Sequence, residues 1–184
     1  MQRKRALTDI ALRDSHLADT RSAHAFQYKD LTPPNQEYMA GNYRGSPYVC
    51  LVDSIVTIDG YFGSNPADVD ADMREFHDAL AIAVEVLREQ KDSASPTLTE
   101  VEYMDLLVAL VARFYVWLLR IHPYENGNGH MARLLGFVMC LKSGRRPKAW
   151  PLHKRSPFGN MVSAYREGAT DEMEEAVLTA IRGR

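Results

Sequence analysis

The chain has 184 residues with 22 basic and 24 acidic side chains, a formal net charge of −2, so a general electrostatic attraction to nucleic acid or to a membrane surface is excluded. That length suffices to bury one substantial core. Its two cysteines, Cys50 and Cys140, are too far apart in sequence for a zinc-type pair, and free buried thiols in a reducing compartment are expected.

The opening M-Q-R-K-R-A-L-T-D-I lacks the apolar run of a secretory signal, so a cytoplasmic, bacterial-type protein is expected, with secretion as an effector left open. Residues 104–121 are apolar enough to raise the question of a membrane span. They contain Asp105, Arg113 and Arg120, which favour a core helix.

In chain order, Leu7, Ile10, Ala11 and Leu17 hint at one helix before Pro33 and Pro34 break the chain. After Gly41-Asn42-Tyr43-Arg44-Gly45, residues 49–62 are rich in Val, Ile and Tyr and contain the turn signal Asp59-Gly60, which predicts a short hairpin. Ser64-Asn65-Pro66 predicts a helix start with proline in the first turn, followed by Val69, Met73, Phe76, Leu80, Ala83 and Leu87 at helical spacing. Thr99 with Glu102 reads as a capping box for a further helix through Leu106, Leu110, Phe114 and Trp117. That helix delivers His122 at its end. The next is predicted over residues 128–143, stopped by Gly144. Two shorter helices follow, over 158–167 and 170–181.

The segment I-H-P-Y-E-N-G-N-G-H-M-A-R, residues 121–133, carries the chemistry. Pro123 stops one helix, and Gly127 and Gly129 allow positive φ and close backbone approach. The spacing of Met131, Leu134, Leu135 and Val138 then opens a new helix, whose free amides and positive dipole end form an anion cradle. Arg133, one turn in, adds a forked cation. His122 has an ordinary pKa near 6.5, which suits a general base. The combination points to phosphoryl or nucleotidyl transfer.

This segment resembles the Fic motif, H-x-F-x-[D/E]-G-N-G-R-x-x-R, of enzymes that mostly transfer AMP from ATP to a protein hydroxyl. Five of its eight specified positions are kept: His122, Gly127, Asn128, Gly129 and Arg133. Tyr124, Asn126 and His130 depart from it. The resemblance implies a mainly α, Fic-like helical bundle with a short β-hairpin flap beside the active site. The whole of residues 1–184 would form one such domain, with an N-terminal helical extension over 1–40 and the resembling core over 41–184. It further implies that His122 is the catalytic base, that Gly127, Asn128, Gly129, His130 and Arg133 bind the nucleotide, and that ATP is a substrate. A flap containing Val49, Leu51, Ile55 and Ile58 would dock the target protein, which offers a Ser, Thr or Tyr hydroxyl.

The departures bear on mechanism. The family's acid at position 126 holds Mg²⁺, and an amide there supplies oxygen without charge, so Asn126 is a weak metal ligand. His130 replaces an always-charged fork with a ring mostly neutral at pH 7. Tyr124 can still anchor the loop while its hydroxyl finds a polar partner. Three readings stay open: an AMP transferase, a Fic enzyme transferring another phosphate-containing group, and a weakened or inactive nucleotide-binding scaffold.

Ser163-Ala164-Tyr165-Arg166-Glu167-Gly168 formally fits the family's inhibitory pattern [S/T]-x-x-x-E-[G/N], which would make Glu167 regulatory. Its place in the chain fits the core's own penultimate helix better, and a small inhibitory or antitoxin partner becomes the other possible restraint. Residues 142–155 hold six Lys or Arg and no acid. They are read as a solvated loop paired with the acids Glu167, Asp171, Glu172, Glu174 and Glu175, with docking of an acidic target as the alternative.

Overall fold

A computed structural model describes residues 10–58, 60–93, 95–151 and 159–183. Its described elements are helices α1 (Ile10–Ala18), α2 (Arg21–Tyr28), α3 (Val69–Asp92), α4 (Glu100–Ile121), α5 (Asn128–Lys142), α6 (Gly159–Arg166) and α7 (Asp171–Arg182). A 3₁₀ turn, Glu37–Met39, and the strands β1 (Thr57–Ile58) and β2 (Tyr61–Phe62) lie between α2 and α3. The mainly α architecture with a small hairpin is thus present.

The central pair is α4 and α5. Along α5, Met131, Ala132, Leu134, Leu135, Phe137, Val138, Met139 and Cys140 are all buried. A helix apolar on every side must be covered on every side, and α5 packs against α1, α3 and α4. Gly136 lets Trp150 in: a Cβ there would come within 2.6 Å of the indole. The indole Nε1 donates to the Arg133 carbonyl at 2.7 Å, which ties the first turns of α5 to the following segment. On the other flank of α4, Phe76 of α3 meets Phe114 and Trp117 edge-on at 5.5 Å each.

The capping box at Thr99 is formed. Its hydroxyl accepts from the Glu102 amide, and its own amide donates to Glu102 at 2.8 Å. Helix α3 starts later than the Ser64-Asn65-Pro66 signal predicts. The Asn65 side chain accepts from the Ala67 amide at 3.1 Å, so an Asx turn takes these residues and helical bonding begins after Asp68. The N-terminal region holds two helices where one was expected, because the Asp19 carboxylate accepts from the Arg21 amide at 2.8 Å and restarts the helix.

The hairpin is shorter than residues 49–62. Only Thr57↔Phe62 and Ile58↔Tyr61 pair, and the preceding residues turn back on themselves through Leu51 N–H and Val52 N–H to the Tyr48 carbonyl at 2.8 and 2.9 Å. Asp59 of the predicted turn lies outside the described residues. Cys50 and Cys140 are free thiols, the latter buried. No described helix is long and apolar enough to cross a membrane. In the basic stretch, Lys142 pairs with Asp14 and Arg145 with Glu100, instead of with the predicted acids from 167 onward; residues 152–158 lie outside the described set.

Candidate active site

His122 caps α4 in the left-handed region, with φ 54° and ψ 59°. A histidine adopts that conformation at a cost, and the cost is met by its surroundings. Its amide still donates to the Leu118 carbonyl at 2.9 Å. The carbonyls on either side of its Cα are both held by Arg44: Nε donates to the His122 carbonyl at 2.8 Å and Nη2 to the Ile121 carbonyl at 3.0 Å. The Arg44 backbone amide adds a bond to the Pro123 carbonyl at 2.8 Å.

Arg44 also fixes the hairpin. Its Nη1 donates to the Ser54 carbonyl at 2.6 Å and its Nη2 to the Ser64 carbonyl at 3.0 Å. The guanidinium is 1% exposed, so one buried fork joins the stretches before and after the hairpin to the end of α4. Gly63 makes room for this junction: a Cβ there would lie 3.1 Å from both the guanidinium and the His122 side chain. The pattern G-x-Y-R was visible in the sequence as part of the element order, but nothing local marked Arg44 as the clamp of the site.

The imidazole itself is largely buried, and desolvation pushes its pKa down to about 4. The Leu119 backbone favours the proton, while Nδ1 is buried without a hydrogen-bond partner. The positive charges of Arg44 and Arg166 depress the pKa further. His122 is therefore neutral at physiological pH and has a ring lone pair that can accept a proton.

The turn beyond it is held from several directions. Tyr124 is fully buried, its hydroxyl 2.7 Å from that of Thr20, which is the polar partner expected for the extra oxygen. Its ring stacks on His24 at 3.8 Å, and His24 stacks in turn on Tyr28 at 4.6 Å. His24 Nδ1 accepts from the Gly41 amide at 2.9 Å. The hydrogen must then sit on Nε2, which donates to the Asn126 carbonyl at 3.0 Å. Burial lowers the His24 pKa and keeps that tautomer neutral. Helix α2 thus braces the turn through residues that sequence reading did not single out; no local spacing links position 24 to position 126.

Asn128, placed with the nucleotide-binding set by the resemblance, has a fully occupied side chain. Its Oδ1 accepts from the Tyr124 amide at 2.9 Å and its Nδ2 donates to the Tyr124 carbonyl at 2.7 Å. This two-way staple closes the turn, so what Asn128 offers a ligand is its backbone amide. The Gly127 amide is taken by Asn126 Oδ1 at 2.7 Å, and the His130 amide by the Gly127 carbonyl at 2.9 Å. That leaves the amides of Asn128 and Gly129 without a protein partner among the described residues, so these two are the amides that could receive an anion.

Arg133 lies beside them. It is buried to 6% exposure, its Nε has no hydrogen-bond partner, and its Nη1 is 3.3 Å from where a Gly129 Cβ would sit. A buried guanidinium without a described carboxylate is suited to an anionic ligand. His130 is exposed, with Nδ1 2.8 Å from the Tyr28 hydroxyl. Gly127, at φ 82°, has the Tyr28 ring 2.5 Å from its missing Cβ. Gly127→Ala is expected to cost about 1–3 kcal/mol by adding strain and displacing Tyr28, read as a lower Tm.

The metal position fits a resident cation poorly. Asn126 Oδ1 is committed to the Gly127 amide, and the Glu125 carboxylate accepts the Ser54 hydroxyl. Among the described residues no group of three or more His, Cys, Asp or Glu could hold a metal ion.

Of the flap residues, Val49 and Ile55 are exposed, at 91% and 72%, and the side chain of Ile58 lies outside the described set. Leu51 is fully buried, so it supports the flap and is not part of a docking face. Glu167 follows α6 and accepts the Tyr61 hydroxyl at 2.6 Å. Among the described residues it makes no ion pair with Arg133.

Fold and site together define a helical bundle with a buried histidine at the end of α4 and, at the start of α5, two unpartnered amides and a buried arginine. The chain belongs to the Fic/DOC family, whose profile matches residues 15–140. The match takes in the end of α1 and the whole of α2, which lie within the expected N-terminal extension over 1–40. Members of this family are typically transferases, and membership suggests transfer of a nucleotide-derived group to proteins. No curated protein matches the chain.

Proposed function

We propose that the protein is a protein adenylyltransferase that moves AMP from ATP to a Ser, Thr or Tyr hydroxyl of a target protein. The observation that carries this reading is the buried His122 clamped at the end of α4, followed across one stapled turn by the unpartnered Asn128 and Gly129 amides and the buried Arg133. The target oxygen attacks the α-phosphorus while its proton passes to His122 Nε2. The bond from the α-phosphorus to the oxygen bridging to the β-phosphate breaks, and pyrophosphate leaves. The two amides and Arg133 take up charge on the phosphate oxygens. Mg²⁺, which the family resemblance implies, is given no step, because Asn126 and Glu125 are turned to other partners. The exposed Val49 and Ile55 with the Thr57–Phe62 hairpin are the proposed target edge.

The test is transfer of label from ATP marked at the α-phosphate, with intact mass of the product. A His122-dependent gain of one AMP is expected; a gain of phosphate alone, or none, overturns the reading. His122→Asn is the suitable control, because Asn tolerates the left-handed backbone at 122.

A second reading, a weakened scaffold that binds nucleotide without turnover, is favoured by Asn126 and His130, whose polar atoms serve the turn and Tyr28. Restoring Asp at 126 and Arg at 130 is expected to raise transfer at least tenfold and to lower the divalent cation concentration needed for half-maximal rate. Activity seen only in the restored protein supports this second reading. Glu167 is engaged with Tyr61, which lends no support to a built-in brake; a separate small partner protein is the restraint proposed in its place.

A further inference from the structure

Helix α4 carries a second cationic surface, on a face separate from the motif. Arg113, Val116, Trp117 and Arg120 fall at helical spacing along one stripe. They line a hollow of about 330 Å³ closed by Glu75 of α3 and by Tyr165 and Arg166 of α6. No residue of the 121–133 segment lines it.

The charge is opposite to that of the chain. Three arginines against one glutamate give 3 − 1 = +2, while the whole chain is −2. Neither Arg113 nor Arg120 forms an ion pair among the described residues, and the acid from α7 whose field reaches the lining is Glu174, felt at Tyr165 together with Arg113. Arg113 lies over the Trp117 ring at 5.9 Å, which fixes its fork along the aromatic wall. Like charges gathered in a concave site repel one another, and a bound anion relieves that repulsion. The volume lies at the lower end of ligand sites, and forked donors match phosphate oxygens in pairs.

We propose that this hollow is a second anion site that takes a dianionic, phosphate-bearing small molecule. Trp117 and Tyr165 supply its aromatic sides, and Arg166 connects it to the flap. The Arg166 Nη2 donates to the Leu119 carbonyl at 3.0 Å, and its guanidinium lies 5.1 Å from the Tyr61 ring on β2. Occupancy is therefore felt where the hairpin meets the end of α4.

The phosphate can be that of a free anion or that of a nucleotide, and calorimetric titration of the full chain with inorganic phosphate, pyrophosphate and AMP separates them. Arg113→Ala/Arg120→Ala is expected to weaken one binding event at least tenfold while leaving the melting temperature nearly unchanged, since both side chains are exposed; His122→Asn is expected to leave that event in place. AMP binding tighter than phosphate assigns the nucleotide source, and the reverse assigns the free anion. The site is overturned if all three ligands titrate identically with wild type and the double variant, or if none binds in the millimolar range. Should the double variant unfold, Arg120→Gln alone carries the same comparison. The result is independent of whether any group is transferred.

Discussion

Arg44→Met is expected to lower the stability of the folded protein by about 3–5 kcal/mol, more than any other single change in the site. Methionine fills much of the volume but leaves the carbonyls of Ser54, Ser64, Ile121 and His122 without the charged donor each now has. Buried acceptors stripped of partners cost about 1–3 kcal/mol each in isolation; local rearrangement and the Ser64 amide, which also donates to the Ile121 carbonyl at 3.1 Å, reduce the sum. Removing a desolvated charge gives part of this back, since burial already lowers the Arg44 pKa against the favourable field of Glu125. Urea unfolding at pH 7 measures the loss. Arg44→Lys is expected to recover little, because one ammonium cannot reach carbonyls on both sides of the fork. A loss below 1 kcal/mol for Arg44→Met would show that the hairpin and the end of α4 are positioned by something else. Activity distinguishes the effect from plain instability: below the melting transition, transfer should fall further than the folded fraction does, as the hairpin and His122 lose their shared reference point.

What the sequence made legible was local. Thr99 and Glu102 are three residues apart and their box forms; Gly127 and Gly129 punctuate a turn that opens α5 where the apolar spacing resumes. The left-handed His122 was implied only loosely, as a helix end before Pro123. Its two strongest determinants, Arg44 and the neutral state forced by burial, depend on contacts across 78 positions of chain and on packing density. The His24 to Asn126 bond and the Tyr28, His24 and Tyr124 stack are of the same kind. Asn128 adds a local role: its side chain staples the turn, which leaves its backbone amide as its group without a protein partner among the described residues. Periodicity reports which face a residue occupies, whereas a tautomer or a staple is decided by what a distant segment brings to that face.

The burial of His122 has a measurable thermodynamic signature. Its folded pKa of about 4 lies below the ordinary 6.5, so between those values the unfolded chain binds a proton that the folded one does not. Stability from this group is complete above pH 6.5 and is lost as pH falls toward 4, by about 3 kcal/mol in all. His24 and His77, also shifted down by burial, act in the same direction. Urea midpoints measured from pH 7 to pH 4.5 should therefore fall steadily, and in His122→Asn the fall should be shallower by close to one proton per molecule. The same shift places the acid limb of kcat/KM for group transfer near pH 4 to 5 instead of near 6.5, so the rate should stay level from pH 6 to 8 on the side governed by the base. An acid limb at pH 6 to 7, or a variant whose stability keeps the wild-type slope, would mean that His122 is solvated in the folded protein. In that event its proton affinity would be ordinary and the clamp by Arg44 would serve position alone. If both measurements give the low value, the enzyme uses a weak base that is always unprotonated, and the burden of lowering the barrier moves to the Asn128 and Gly129 amides and to Arg133.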